Sequence, residues 1–178
     1  KIKAVKSPEI LIAGCGTGQH SIGTATRFKD SRVLAVDLSL SSLSYAKRKT
    51  EELSIQNIDY MQADILDLLK LDRKFDIVES AGVIHHMDDP FVAWSILKDC
   101  LKSGGLMKIA LYSDLARQHI VEMRKEISDK GIGSSDFEMK SFRNMLVKSD
   151  KTYHKLILNS PDIFSLSTLK DLLFHVQE

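Results

Sequence analysis

The stretch EILIAGCGTGQH, residues 9–20, runs from an apolar segment of strand length straight into three glycines, Gly14, Gly16 and Gly18. A segment that is apolar at every position, rather than at every second one, fits a strand buried on both faces. Glycines at a strand-to-helix turn remove side chains, so a ligand can lie against backbone N–H groups at a helix N-terminus. The stretch therefore predicts a parallel sheet covered by helices and a ligand held close to the main chain.

The alternation continues. RVLAVDL (32–38), IDYMQAD (58–64), FDIVESAG (75–82) and LMKIALYS (106–113) read as strands two to five. GQHSIGTATRFK (18–29), SLSSLSYAKRKTEEL (39–53) and DPFVAWSILKDCLK (89–102) read as the helices between them. Ser39 is a candidate N-cap, Asp88 or Asp89 caps the third helix with Pro90 in its first turn, and SGG (103–105) ends it. With right-handed crossovers this order gives an α/β, Rossmann-like, doubly wound parallel sheet of five strands.

Beyond Ser113 the segments DLARQHIVEMRKEISDKG, SDFEMKSFRNMLVKS, TYHKLILNS and SLSTLKDLLFHV all read as helices. The expected organisation is a core over residues 1–113 and a helical insertion or cap over 114–178, within one domain. Met123, Met139 and Met145 are expected in its core. Arg117, Arg124, Lys125, Arg143 and Lys148 are expected on a solvated face. Both ends read as cut, as in a domain excised from a longer chain.

The 178 residues are 43% hydrophobic, enough apolar material for a core, and 25 basic against 24 acidic residues leave a formal charge of +1. That balance provides no global attraction to nucleic acid or to an anionic membrane. No apolar run approaches the roughly 20 residues of a membrane span, and the N-terminus lacks a signal-peptide core. Cys15 and Cys100 have no metal-ligand spacing, so the expectation is a reduced, cytoplasmic protein.

In a doubly wound sheet ligands sit beyond the carboxyl ends of the strands. The glycine turn, Gly14-Cys15-Gly16-Thr17-Gly18, lies there. So does Asp37, ending strand two, where a carboxylate can accept both hydroxyls of a ribose. Asp64 and Ile65 follow strand three and suit an adenine edge and face. ESAGVIHHMDDP, after strand four, brings Glu79, Ser80, His85 and His86 to the mouth. Each has a plainer reading: Asp37 as the cap of the next helix, Asp64 as the cap of a short turn, the histidines as packing residues. HHMDD is not read as a metal site.

Taken in order, ILIAGCGTGQH, VLAVDLS, YMQADILDL, FDIVESAGVIHHMDDP and LKSGGLMKIALYS resemble a class I S-adenosylmethionine-dependent methyltransferase over residues 9–113. The wording, with YAKRKTEEL and LFHVQE, further resembles bacterial methyltransferase domains that follow tetratricopeptide repeats. The resemblance implies S-adenosylmethionine as cofactor. Gly14, Gly16 and Gly18 would pass along its methionine part, Asp37 would hold the ribose, and Leu38 would flank the adenine. Asp64 would accept from the adenine amino group while Ile65 packs on the ring. Glu79 and Ser80 would face the methionine end. The family also completes its sheet with an antiparallel hairpin, which has no counterpart in residues 113–178.

Two rivals fit less well. A nicotinamide-binding turn reads G-x-G-x-x-G, whereas the third glycine here comes two residues after the second and position 19 is Gln. A phosphate-binding loop needs G-K-[ST], which is absent. Neither the Asn/Asp-Pro-Pro-aromatic run of amino-methylating nucleic-acid enzymes nor the Pro-Cys of cytosine C5 enzymes stands after strand four, so nucleic acid is not the expected acceptor. His85 or His86 is the candidate general base. A module that binds the cofactor without turnover is the alternative. The acceptor, small molecule or protein, is not readable; preceding repeats would favour a protein partner.

Overall fold

Five strands, β1 (Glu9–Ala13), β2 (Arg32–Asp37), β3 (Ile58–Gln62), β4 (Phe75–Ala81) and β5 (Leu101–Ala110), form one parallel sheet in the order β3-β2-β1-β4-β5. The computed structural model describes residues 5–111, 113 and 115–174. The chain divides into two units, Lys1–Leu111 and Tyr112–Glu178.

The central strand explains its own composition. Ile10, Leu11 and Ala13 are 0% exposed because β1 pairs with β2 on one side and β4 on the other. Ile10 and Ile12 pack with Val33 and Ala35 against Ala25 of α1 (Gln19–Arg27) and Leu43 of α2 (Leu40–Glu52). Leu11 and Ala13 face the other way, toward Leu34, Val36, Val78 and the residues Ala93 and Leu97 of α3 (Pro90–Asp99). Strand order reverses between β1 and β4, which opens a ligand crevice at their carboxyl ends.

The junction between α3 and β5 differs from the sequence reading. The helix ends at Asp99 rather than at 102, and the strand begins at Leu101 rather than at 106. Phe75 pairs with Leu101 and Ile77 with Leu106, so residues 102–105 bulge opposite Asp76. Gly104, at φ +79°, takes the left-handed turn, and a Cβ on Gly105 would lie 3.0 Å from the Asp76 carbonyl oxygen. These glycines accommodate a β-bulge instead of stopping a helix. Lys102 spans it, with Nζ 2.9 Å from Asp76 Oδ2 and 3.0 Å from Glu9 Oε2. Residue 112 of the expected fifth strand lies outside the described residues. No strand follows β5 among them.

The second unit contains α4 (Gln118–Asp129), α5 (Asp136–Val147), α6 (Thr152–Ile157) and α7 (Leu166–Leu169). Met123 and Met139 are buried in its core with Phe142, Leu146 and Ile157, and Met145 packs against it. The last expected helix is shorter, giving way to a wide turn over Lys170–Phe174. Two of the basic residues expected on a solvated face also tie this unit together. Arg124 Nε donates to the Leu172 carbonyl at 3.1 Å and Arg143 to that of Phe164 at 3.1 Å, because helix-borne guanidinium groups reach carbonyls of a later segment.

Glu126, 8% exposed, is the hub of this unit. It accepts from Lys130 at 2.5 Å, Lys151 at 3.0 Å, the fully buried His154 at 2.9 Å, and the Tyr153 hydroxyl. Burial pushes its carboxyl up, but these four donors together outweigh burial and hold it well below the usual carboxylate range.

Candidate functional site

The three glycines have positive φ, +77°, +52° and +90°, but different reasons for being glycine. A Cβ on Gly14 would lie 2.3 Å from Val83 Cγ2, so Gly14 makes room for the segment after β4. A Cβ on Gly18 would lie 2.7 Å from that of Ala46, so Gly18 lets α1 and α2 pack. A Cβ on Gly16 would meet nothing within 4 Å among the described residues. Gly16 is therefore the member of the set whose bare backbone faces open space.

Asp37 ties this turn to the end of β2. Its Oδ2 accepts from Gly16 N at 2.7 Å and its Oδ1 from Ser39 N at 2.9 Å. Ser39 in turn caps α2 through Ser42 N. A carboxylate bonded to two backbone amides is rigid yet keeps further lone pairs for other donors. Cys15, 6% exposed, sits inside the turn, where burial and then the Asp37 charge push its thiol up to about 12. It is an inert packing residue at neutral pH. Thr17 is exposed.

At the end of β3, Asp64 caps the 3-10 turn Ile65–Leu71 by accepting from Leu66 N at 2.9 Å. Ile65 is 6% exposed and packs in the core, whereas Leu38 is 65% exposed beside the β2 terminus. Gln62 Nε2 donates to the Leu38 carbonyl at 2.9 Å, holding that backbone in place.

The two residues at the end of β4 part company, because successive strand side chains point to opposite faces. Ser80 is 1% exposed, with Oγ buried and without a hydrogen-bond partner among the described residues. Glu79 lies beside Ile12 in register and turns toward α1. There its Oε2 is 2.6 Å from His20 Nε2 and accepts from Thr24 Oγ1 at 3.2 Å. His85 and His86 follow in the short turn Ile84–His86, with ring centroids 4.0 Å apart; His85 is half-buried and His86 exposed. Asp89 caps α3 through Phe91 N at 2.9 Å.

His20 and Thr24 were invisible to sequence reading as site residues. In GQHSIGTATRFK both read as ordinary helix positions, and their partner is more than fifty residues away. The available signal was a histidine two positions after the third glycine. Val83, the reason for Gly14, left no sequence signal.

A family model described as "Methyltransferase domain" matches residues 10–105, more than half of the chain. An uncharacterized protein of Synechococcus is 30% identical over 122 residues, covering 68% of this chain and 29% of that one. The malonyl-[acyl-carrier protein] O-methyltransferase of Hamiltonella defensa is 36% identical over 119 residues, covering 67% of this chain and 42% of its own. The match thus spans less than half the length of either relative. Among solved structures, PKMT2 from Rickettsia typhi superposes with TM-score 0.79 over 100% of this chain and 37% of its own, at 20% identity, a likeness of fold.

Proposed function

We propose that this chain, which belongs to the methyltransferase domain family, binds S-adenosylmethionine and transfers its methyl group to an acceptor. The observation that carries the reading is the charge of the glycine turn. The Gly16 N–H is already taken by the Asp37 carboxylate at 2.7 Å, and a second carboxylate, Glu79, stands at the neighbouring strand end. A turn so lined repels a pyrophosphate, which needs such N–H groups free. It attracts a cationic ligand. The residues present fit S-adenosylmethionine: open backbone at Gly16, an acceptor for ribose hydroxyls at Asp37, and Asp64 with exposed Leu38 for adenine.

When bound, S-adenosylmethionine supplies an already electrophilic sulfonium methyl. The chain's own work is then to hold and orient, which for an in-line transfer can supply much of the rate. Asp37 is fixed by two amides before any ligand arrives, so it orients a ribose without reorganising. Where the acceptor must lose a proton, His86, whose ring is exposed, is the better placed of the two histidines to take it as general base, because both ring nitrogens of His85 are buried. Ile65 supports the adenine side from within the core, and Ser80 backs the methionine end from the opposite sheet face. The acceptor is a small molecule or a protein side chain, and the setting is the cytoplasm. No helix among the described residues is long and apolar enough to cross a membrane.

Calorimetric titration with S-adenosylmethionine tests the reading. The folded protein is expected to bind it and not NAD, and Asp37→Ala to weaken binding by about tenfold or more, the loss of charge-assisted hydrogen bonds. Folded protein that binds no S-adenosylmethionine overturns it. A methyl-transfer screen over small molecules and proteins then separates an enzyme from a non-catalytic binder, and His85→Ala and His86→Ala at unchanged turnover remove the base assignment.

A further inference from the structure

We propose that a groove at the amino ends of β4 and β5 is a docking site for an acidic amphipathic helix of a partner protein. The groove lies at the opposite end of the sheet from the ligand crevice and does not depend on what that crevice binds. An all-parallel sheet is normally covered on both faces. On the α1 face α1 and α2 pack over β1, β2 and β3. Leu106 of β5 stands on this same face, because it pairs in register with Ile77, which packs against the α1 core. It is 50% exposed, and Lys108 and Ala110, alternating with it along the strand, are exposed too. Met107 and Ile109, on the other face, pack against the core under α3. Among the described residues β5 is thus covered on one face only.

The amino-terminal part of this open face is a groove of about 1040 Å³. Its floor is apolar, with Val5, Phe28, Ile77 and Leu106. Its rim is cationic. Lys6, Arg27 and Lys29 line it, all three exposed and without an ion pair among the described residues. Of the two acids in its wall, Asp76 is already spent, because its Oδ2 accepts from Glu9 N and from Lys102 Nζ, both at 2.9 Å. Asp30 alone remains against the three cations, so the rim carries uncompensated positive charge. This pairing of floor and rim selects the occupant. A helix is the element that covers parallel strands, and its apolar stripe would meet Ile77 and Leu106. Acids flanking that stripe would meet Lys6, Arg27 and Lys29, which supplies orientation and discrimination against other helices. Phe28 is the one aromatic ring in the lining, so the floor offers bases no stacking platform. The described helices α4, α5 and α6 already bury their apolar faces in a core of their own.

The probe is a fluorescein-labelled synthetic helix of about 18 residues, roughly five turns, with leucines on one face and glutamates flanking them. Three controls accompany it: the same helix with lysine for glutamate, a version with the leucines dispersed around the helix, and a single-stranded oligonucleotide. Fluorescence anisotropy is expected to show wild type binding the acidic helix with a Kd on the order of 10 μM, and each control at least about tenfold more weakly. Raising salt to about 0.5 M should weaken the acidic helix, because the rim charges are exposed. Arg27→Glu/Lys29→Glu and Leu106→Ser are each expected to cost about tenfold or more in affinity. Urea unfolding midpoints check that both variants are folded. Arg27 and Lys29 are exposed and hold no partner, so the charge reversal remains a valid test even where Leu106→Ser unfolds the sheet edge. No binding of the acidic helix, equal binding of the lysine helix or the oligonucleotide, or full affinity in Arg27→Glu/Lys29→Glu overturns the proposal. A wild-type dimer in sedimentation that Leu106→Ser abolishes assigns the face to a second copy and overturns it as well.

Discussion

Adding one methyl group to Gly14 and to Gly16 should produce opposite phenotypes. Both residues have positive φ, so each alanine carries a left-handed backbone penalty of about 1–2 kcal/mol. At Gly14 the new Cβ would also lie 2.3 Å from Val83 Cγ2 and 2.6 Å from its Cγ1, far inside contact distance. Forcing an extra methyl into a packed site adds about 1–3 kcal/mol. Gly14→Ala is therefore expected to destabilise by about 2–5 kcal/mol, a large part of the roughly 5–15 kcal/mol of a typical domain. Gly16→Ala meets nothing within 4 Å among the described residues and should cost only the backbone penalty.

Binding reverses the order of interest. On the proposed reading the ligand lies in the open space beside Gly16, so Gly16→Ala is expected to stay folded and lose S-adenosylhomocysteine affinity by about tenfold or more, the scale of one misplaced contact. Urea unfolding midpoints and calorimetric titration on the same preparations read both effects. Gly14→Ala/Val83→Ala should recover most of the steric part. The reasoning fails if Gly14→Ala is as stable as Gly16→Ala, or if Gly16→Ala binds the ligand as wild type does.

Two further outcomes concern the scaffold. Glu126→Leu strands His154 in the core of the helical unit without its partner and should cost about 3–5 kcal/mol in urea unfolding. Because the Glu126 carboxyl is held below its unfolded value of about 4.3, its contribution is fully present above that pH and is lost as pH falls through the folded value. The stability gap between wild type and Glu126→Leu should narrow on acidification below about pH 4; a gap constant down to pH 3 would refute the assignment. Asp89→Ala removes the side-chain acceptor for Phe91 N at the start of α3 and should cost about 1 kcal/mol, read by the same midpoints.

The sheet was readable because burial on both faces writes itself into composition: Ile10–Ala13 of β1 and Val33–Val36 of β2 are apolar at every position, and Asp37 and Asp64 fall where their strands emerge. The start of β5 was not, since a bulge built from Lys102 to Gly105 looks in sequence like a helix terminator and then a strand. Charge spacing predicted a solvated face on the helices. It could not show that Arg124 and Arg143 reach carbonyls of a later segment, because that depends on where the chain returns.

At the site, the plain and the functional readings of the acids turn out to be compatible rather than rival. Asp37 accepts from Gly16 N and Ser39 N, and Asp64 caps the 3-10 turn beginning at Ile65. A carboxylate has two oxygens and about four acceptor positions, so one or two backbone amides leave room for a ligand's donors. On the proposed reading, capping prepares these acids for a ligand: a side chain immobilised by the main chain loses little further entropy on binding. Glu79 obeys the same logic with side chains in place of amides. Substitutions at Asp37 should therefore disturb the glycine turn and ligand affinity together, and the binding loss from Asp37→Ala should exceed that from Asp64→Ala, because only Asp37 holds the backbone of the turn itself.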